Sequence, residues 1–166
     1  MSFEIAHGTF VFERRCEAPV EQVFAALADP AIRAAWSAPS DGAAFIYDEA
    51  NFREGGEDQF RCGSKENPQY TGRTTYISIV PGELVVSSEV VEAGGRKLAS
   101  SLITTELKAN THATMVTVTV QVTSLSGDDM IAGAEIGYNA ALDNLVEHML
   151  APAGGRAQDR SSGTGN

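Results

Sequence analysis

The residues of this sequence best equipped to touch a bound molecule are mostly aromatic. Trp36 is the chain's only tryptophan, and Phe45, Tyr47, Phe60 and Tyr76 fall in segments whose apolar residues recur with period two. Tyr138 lies on a helical stripe that faces an apolar interior, so its hydroxyl needs a partner there: a ligand, a water or a strand residue. Arg61 could anchor the anionic head of an otherwise greasy molecule. Arg53, on the other side of the Gly55-Gly56 turn, could do the same; the plain alternative for both, and for Arg73, is a solvated arginine at a strand edge. Trp36 either lines the mouth of a cavity or anchors nearby helices, and an aromatic at this spot can do both. Gly133, Gly137 and Ala141 recur every fourth residue along the helix of Tyr138. Interior glycine costs a helix about 1 kcal/mol against alanine, so Gly137 points to close backbone packing or to room for a bound molecule.

Other chemistry is missing. There is no GxSxG, no P-loop and no GxGxxG after a strand. His7, His112 and His148 are scattered, without the spacing of metal ligands, so neither a metal nor a cofactor is expected. Cys16 and Cys62 read as two reduced thiols. Glu57 and Asp58 are adjacent and point to opposite faces of one strand, as do Asp48 and Glu49, so neither pair can act as paired catalytic carboxylates. A general base would have to be a tyrosine, an arginine-tuned acid or bound water.

The elements that must position these residues follow from periodicity. Gly8–Cys16 reads as a strand with Phe10 and Phe12 on one face. Pro19 suits the first turn of a helix whose stripe is Val20, Val23, Phe24 and Leu27. Asp29-Pro30 ends it and caps a second short helix carrying Ile32 and Trp36. From Ala43 the period is two: "AAFIYDE", "EDQFRCGS", "PQYTGRTTYISIV", "ELVVSSEVVE", "KLASSLITTELK" and "ATMVTVTVQVTS" read as strands. Gly55-Gly56, Pro81-Gly82 and Gly94-Gly95 are turn signals between them. From Ser126, with acidic Asp128 and Asp129 in its first turn, a long helix runs to Leu150 on the stripe Ile131, Ala134, Tyr138, Leu142, Leu145 and Met149. Residues 1–151 are expected to form one domain and the Gly/Ser-rich 152–166 a disordered tail. The predicted class is α+β: a curved antiparallel sheet of about six to seven strands wrapped on the long C-terminal helix, with the two short helices as lid and end wall.

Composition narrows the partners. The 166 residues carry 12 Lys plus Arg against 22 Asp plus Glu, a formal net charge of -10. Clustered cations for phosphate are absent, so nucleic acid and an anionic membrane surface are poor partners. No apolar run is long enough to insert in a bilayer and no secretory leader opens the chain, which predicts a cytoplasmic protein. The oligomeric state stays open, a homodimer included.

Taken together, "APVEQVFAALADPAIRAAW", "FREGGEDQFR", "YTGRTTYISIVPGELVVSSEV", "LITTEL" and "GYNAALDNL" resemble the START-like (SRPBCC, helix-grip) superfamily. Within it they are most similar to the polyketide cyclase and AHSA-type group, homologues of an activator of the heat-shock chaperone ATPase. The resemblance implies the helix-grip fold and a cavity between sheet and C-terminal helix. The group includes ligand carriers, cyclases and co-chaperones. Binding of a small, mostly hydrophobic or aromatic ligand is the expected function, with Trp36, Phe45, Tyr47, Phe60, Arg61, Tyr76, Gly137 and Tyr138 as its contacts. The alternatives are a cyclase or dehydratase on aromatic or polyketide substrates, in which Tyr138, Tyr76 or Arg61 polarises a carbonyl, and a co-chaperone. Two departures stand out: Tyr138 replaces the tryptophan usual in the group, and "AGAEI" replaces the charged residues that often precede it.

Overall fold

The computed structural model describes residues 2–38 and 40–150. The expected tail at 152–166 lies outside the described residues.

In chain order the elements are β1 (Ala6–Cys16), α1 (Val20–Ala28), α2 (Pro30–Ser37), β2 (Ala43–Glu49), β3 (Glu57–Ser64), β4 (Tyr70–Val80), β5 (Leu84–Ala93), β6 (Arg96–Asn110), β7 (Ala113–Ser124) and α3 (Asp128–Leu150). The strands form one seven-stranded sheet in the order β1-β7-β6-β5-β4-β3-β2, with every pair antiparallel. This is the helix-grip architecture expected from the sequence.

The turns form where backbone chemistry permits them. Gly82 takes φ +77° after Pro81, and Glu83 donates its N–H to the Val80 carbonyl at 3.0 Å, closing a tight turn. Gly94 and Gly95 both take positive φ, 58° and 74°, as a two-residue hairpin requires. The Asp29 carboxylate accepts from the N–H groups of Ala31 (2.9 Å) and Ile32 (3.3 Å), with Pro30 at the first helical position. Pro19 differs by one residue from expectation. Its extended backbone (ψ 153°) makes it the capping residue of α1, and its carbonyl accepts the first helical bonds.

The core runs along the concave face. Val116, Val118, Val120 and Val122 of β7 are buried against Phe12 of β1 and against Leu142 and Leu145 of α3. The helix α3 crosses over β1 and β7 and leaves the middle of the sheet uncovered. Arg14, on the same face of β1 as Phe12, ties β1 to α3, bonding Asp143 at 3.0 Å and Asn139 at 2.9 Å. At the other end Asn144 donates to the Ala38 carbonyl at 2.8 Å, which joins α3 to the end of α2.

One close approach shapes the sheet. Phe60 lies opposite Gly72, and a Cβ on Gly72 would run into the Phe60 ring. That ring is also stacked on Phe45, centroids 4.6 Å apart, so it cannot swing aside freely. Gly72→Ala should therefore overpack this spot and destabilise the fold by about 1–3 kcal/mol. Urea unfolding of the single variant checks it; an unchanged midpoint would mean that the ring relocates without cost.

Candidate functional site

A cavity of about 610 Å³ opens where α3 leaves the sheet. Its walls are the concave faces of β2–β7, the inner face of α3, and the end of the helical pair at Leu27, Arg33, Trp36 and Ser37. The lining is mainly apolar, as small-molecule sites are.

The geometry sorts the residues expected at the site. Trp36, Phe45, Tyr47, Phe60, Tyr76, Gly137 and Tyr138 all border the cavity. Trp36 also anchors: its indole N–H donates to the Ala26 carbonyl at 3.0 Å, fastening α2 to α1. Gly133 and Gly137 face open space, since a Cβ at either position would meet nothing within 4 Å. Close backbone packing is thus not what these two glycines serve.

Arg61 does not belong to this set. It neighbours Phe60 and Cys62, which face inward, so the alternation of the strand turns it to the outer face. There its guanidinium pairs with Asp48, Nε to Oδ2 at 2.8 Å and Nη2 to Oδ1 at 2.9 Å, in an exposed bridge. The bond from Arg61 holds the Asp48 carboxyl below the ordinary carboxylate range.

The arginine inside is Arg33, which sequence reasoning passed over. It is 8% exposed, and its partner Asp58 is 1% exposed. Arg33 donates from Nη2 to Asp58 Oδ2 (2.7 Å), from Nε to the Tyr47 hydroxyl (2.8 Å) and from Nη1 to the Leu27 carbonyl (2.6 Å). Asp58 also accepts from the Tyr76 hydroxyl and from the Asn51 backbone N–H, the latter at 2.8 Å. Burial alone would lower the pKa of Arg33, but Tyr47, Tyr76 and Asp58 outweigh it and hold the guanidinium above its ordinary value. Burial, and then the Asp58 carboxylate, pushes the Tyr76 phenol well up. The network is internally satisfied and forms a rigid polar wall at one end.

A second polar feature was also missed. Register places Asp58 opposite Thr74, Thr74 opposite Glu89, and Glu89 opposite Ser101, so four neighbouring strands carry one polar row across the concave face. All four residues border the cavity. Asp58 is tied up at the end of the row. The Glu89 carboxyl, in its middle, has no side-chain hydrogen bond or salt bridge among the described residues. It keeps part of its surface free, and that part faces the lumen. Burial pushes its pKa up to about 7. From the helix side Tyr138 borders the same space, stacked on Phe12 at 6.2 Å. Its phenol is pushed well up, first by burial and then by the charge of Glu89. Cys62 is raised to about 11 by the same two causes.

Among the described residues no group of three or more His, Cys, Asp and Glu side chains could hold a metal ion, and no helix is long and apolar enough to cross a membrane.

The sequence profile of a family described as "Activator of Hsp90 ATPase homolog 1-like protein" matches residues 17–149. No curated protein matches the chain in sequence. Among solved structures, an uncharacterized protein from Rhizobium leguminosarum superimposes with a TM-score of 0.79 at 25% identity, over 92% of this chain and 100% of that one. The Mll3558 protein from Rhizobium loti does so with a TM-score of 0.76 at 30% identity, over 87% and 98%. DynU16, a protein of the dynemicin biosynthetic locus, shares the fold with a TM-score of 0.63 at 16% identity; the match covers 86% of this chain and 47% of that one.

Proposed function

The chain belongs to the family of Activator of Hsp90 ATPase homolog 1-like proteins, and we propose that it is a binding protein for a small, largely apolar ligand held between the sheet and α3. The observation that carries this reading is the cavity of about 610 Å³ that two helix glycines keep open. A helix gives up about 1 kcal/mol for each interior glycine, and here neither serves contact between backbones. Trp36, Phe45, Phe60 and Tyr138 would hold the ligand's body, while the polar row on the sheet orients it. Arg61 has no part in it.

Gly137→Leu tests the reading. Leucine fills space that is empty in the native protein, and it is the better helix former. Without ligand, the variant's melting temperature should hold or rise slightly. In a thermal-shift screen of lipids and aromatic metabolites, compounds that stabilise the native protein should lose their effect on the variant. A large fall in melting without any ligand would show that this face is packing surface. If no ligand class stabilises the native protein, the reading fails.

A second reading, an enzyme of the cyclase or dehydratase type, is favoured by two polar groups that enter one lumen and have no side-chain hydrogen bond among the described residues. Glu89 comes from the sheet and Tyr138 from the helix, and a carboxyl near neutrality is suited to moving a proton. Turnover of an aromatic polyketide-like substrate, followed by its ultraviolet spectrum, is the test.

A further inference from the structure

We infer that the ligand carries a protonated amine, which sits against Glu89 between Thr74 and Ser101 while its apolar body lies among the aromatic side chains of the cavity. The inference rests on the binding function proposed above and adds the chemical class of the ligand.

The argument starts from charge matching. Among the described residues the cavity wall carries one cation, Arg33, against three carboxylates, Asp58, Glu89 and Asp129. Arg33 is spoken for: it is bonded to Asp58, Tyr47 and the Leu27 carbonyl. Among the described residues Glu89 therefore faces the lumen without a counter-ion, and a buried charge in that position needs one. A ligand carboxylate would meet Glu89 and Asp129 with like charge, so a fatty-acid type of ligand is the wrong sign. An ammonium is the right one.

Hydrogen bonding agrees. An ammonium has three donors and no acceptor. Thr74 and Ser101 lie directly opposite Glu89 on the neighbouring strands. Their Cα atoms are then about 5 Å from that of Glu89, and both border the cavity. Carboxylate and two hydroxyls make three acceptors on one patch. Aromatic faces assist. Tyr47 and Tyr138 border the same lumen as Glu89, and the face of a tyrosine ring attracts a cation. The net charge of -10 also draws a cation toward the protein.

The pH dependence follows from Glu89, because an ammonium binds its ionised form. Glu89, raised to about 7 by burial, gains its charge across neutrality. Arg33 is held charged above its ordinary range. The phenols of Tyr47, Tyr76 and Tyr138 and the thiol of Cys62 are all pushed up by burial and stay protonated. Asp58 is paired with Arg33, and Asp129 of α3 and Tyr70 of β4 complete the titratable wall.

The experiment uses three probes with one body: 2-(1-naphthyl)ethylamine, 2-(1-naphthyl)ethanol and 1-naphthylacetate, titrated calorimetrically into the full chain. At about pH 8 the amine should bind at least tenfold more tightly than the alcohol, and the acetate should bind most weakly. The amine should weaken by about tenfold between about pH 8 and pH 6, as Glu89 takes up its proton, while the alcohol changes little. Glu89→Gln should remove the amine's advantage over the alcohol. Should this variant fail to fold, the pH series on the native protein carries the test alone. Alcohol binding as tight as the amine, or an amine affinity flat with pH, overturns the amine assignment and leaves the cavity reading standing. No binding by any of the three overturns both.

Discussion

Replacing Asp58 with alanine is expected to destabilise the protein by about 3–5 kcal/mol. The carboxylate is the acceptor for three donors from separate parts of the chain: Arg33 on α2, Tyr76 on β4, and the Asn51 backbone N–H between β2 and β3. Its removal leaves a guanidinium that is 8% exposed without a counter-ion, and strands two further donors. Unpaired buried charge and orphaned donors are among the few mechanisms that yield losses of this size. For a chain of this length the loss corresponds to a fall in melting temperature of about 10–15 °C. Thermal and urea unfolding of Asp58→Ala would show it. A loss below about 1 kcal/mol would mean that water in the cavity solvates the network as it does a surface pair. The exposed Arg61–Asp48 bridge is the internal comparison, and Arg61→Ala is expected to leave the melting curve where it is.

The contrast between these two arginines shows what the sequence could reveal. The elements were legible because their periods are clean. "AAFIYDE", "EDQFRCGS" and "ATMVTVTVQVTS" are the strands β2, β3 and β7 to the residue. The stripe on α3 was legible too, since Ile131, Ala134, Tyr138, Leu142, Leu145 and Met149 recur at helical spacing. Arg61 could have been assigned to the outer face from parity alone: once Phe60 faces inward, its neighbour cannot. Arg33 gave no such cue, because it lies in a short helix beside small alanines, and its partner Asp58 comes from another element. Glu89 was hidden by its own strand. Valine occurs on both faces of β5, with Val85 and Val91 inward and Val86 and Val90 outward, so alternation does not say which face is the core. The polar row Asp58–Thr74–Glu89–Ser101 is a product of register between strands. Register depends on turns and bulges, among them the one between Tyr76 and Ser78, and no local pattern encodes it.

Glu89 also carries the second large effect, and its sign reverses intuition. Glu89→Gln should stabilise the ligand-free protein at about pH 8 and leave it unchanged at about pH 4. In the folded protein burial raises the carboxyl from 4.5 to about 7. Between those two values the folded state holds a proton that the unfolded chain has already released. Raising the pH through this window therefore favours the unfolded chain, and the loss is complete above about pH 7. Glutamine has no proton to lose, so its stability does not follow this course. The gap between 4.5 and about 7 corresponds to roughly 3 kcal/mol. That is an upper figure, because the carboxyl keeps contact with the lumen. Urea unfolding of both proteins across the window measures it: the curves should converge in acid and separate steadily toward neutrality. A constant offset at every pH would show that glutamine merely packs better. A variant less stable than native at about pH 8 would show that the ionised carboxylate already has a partner within the fold, and the cavity would then have no unmatched charge to offer a ligand.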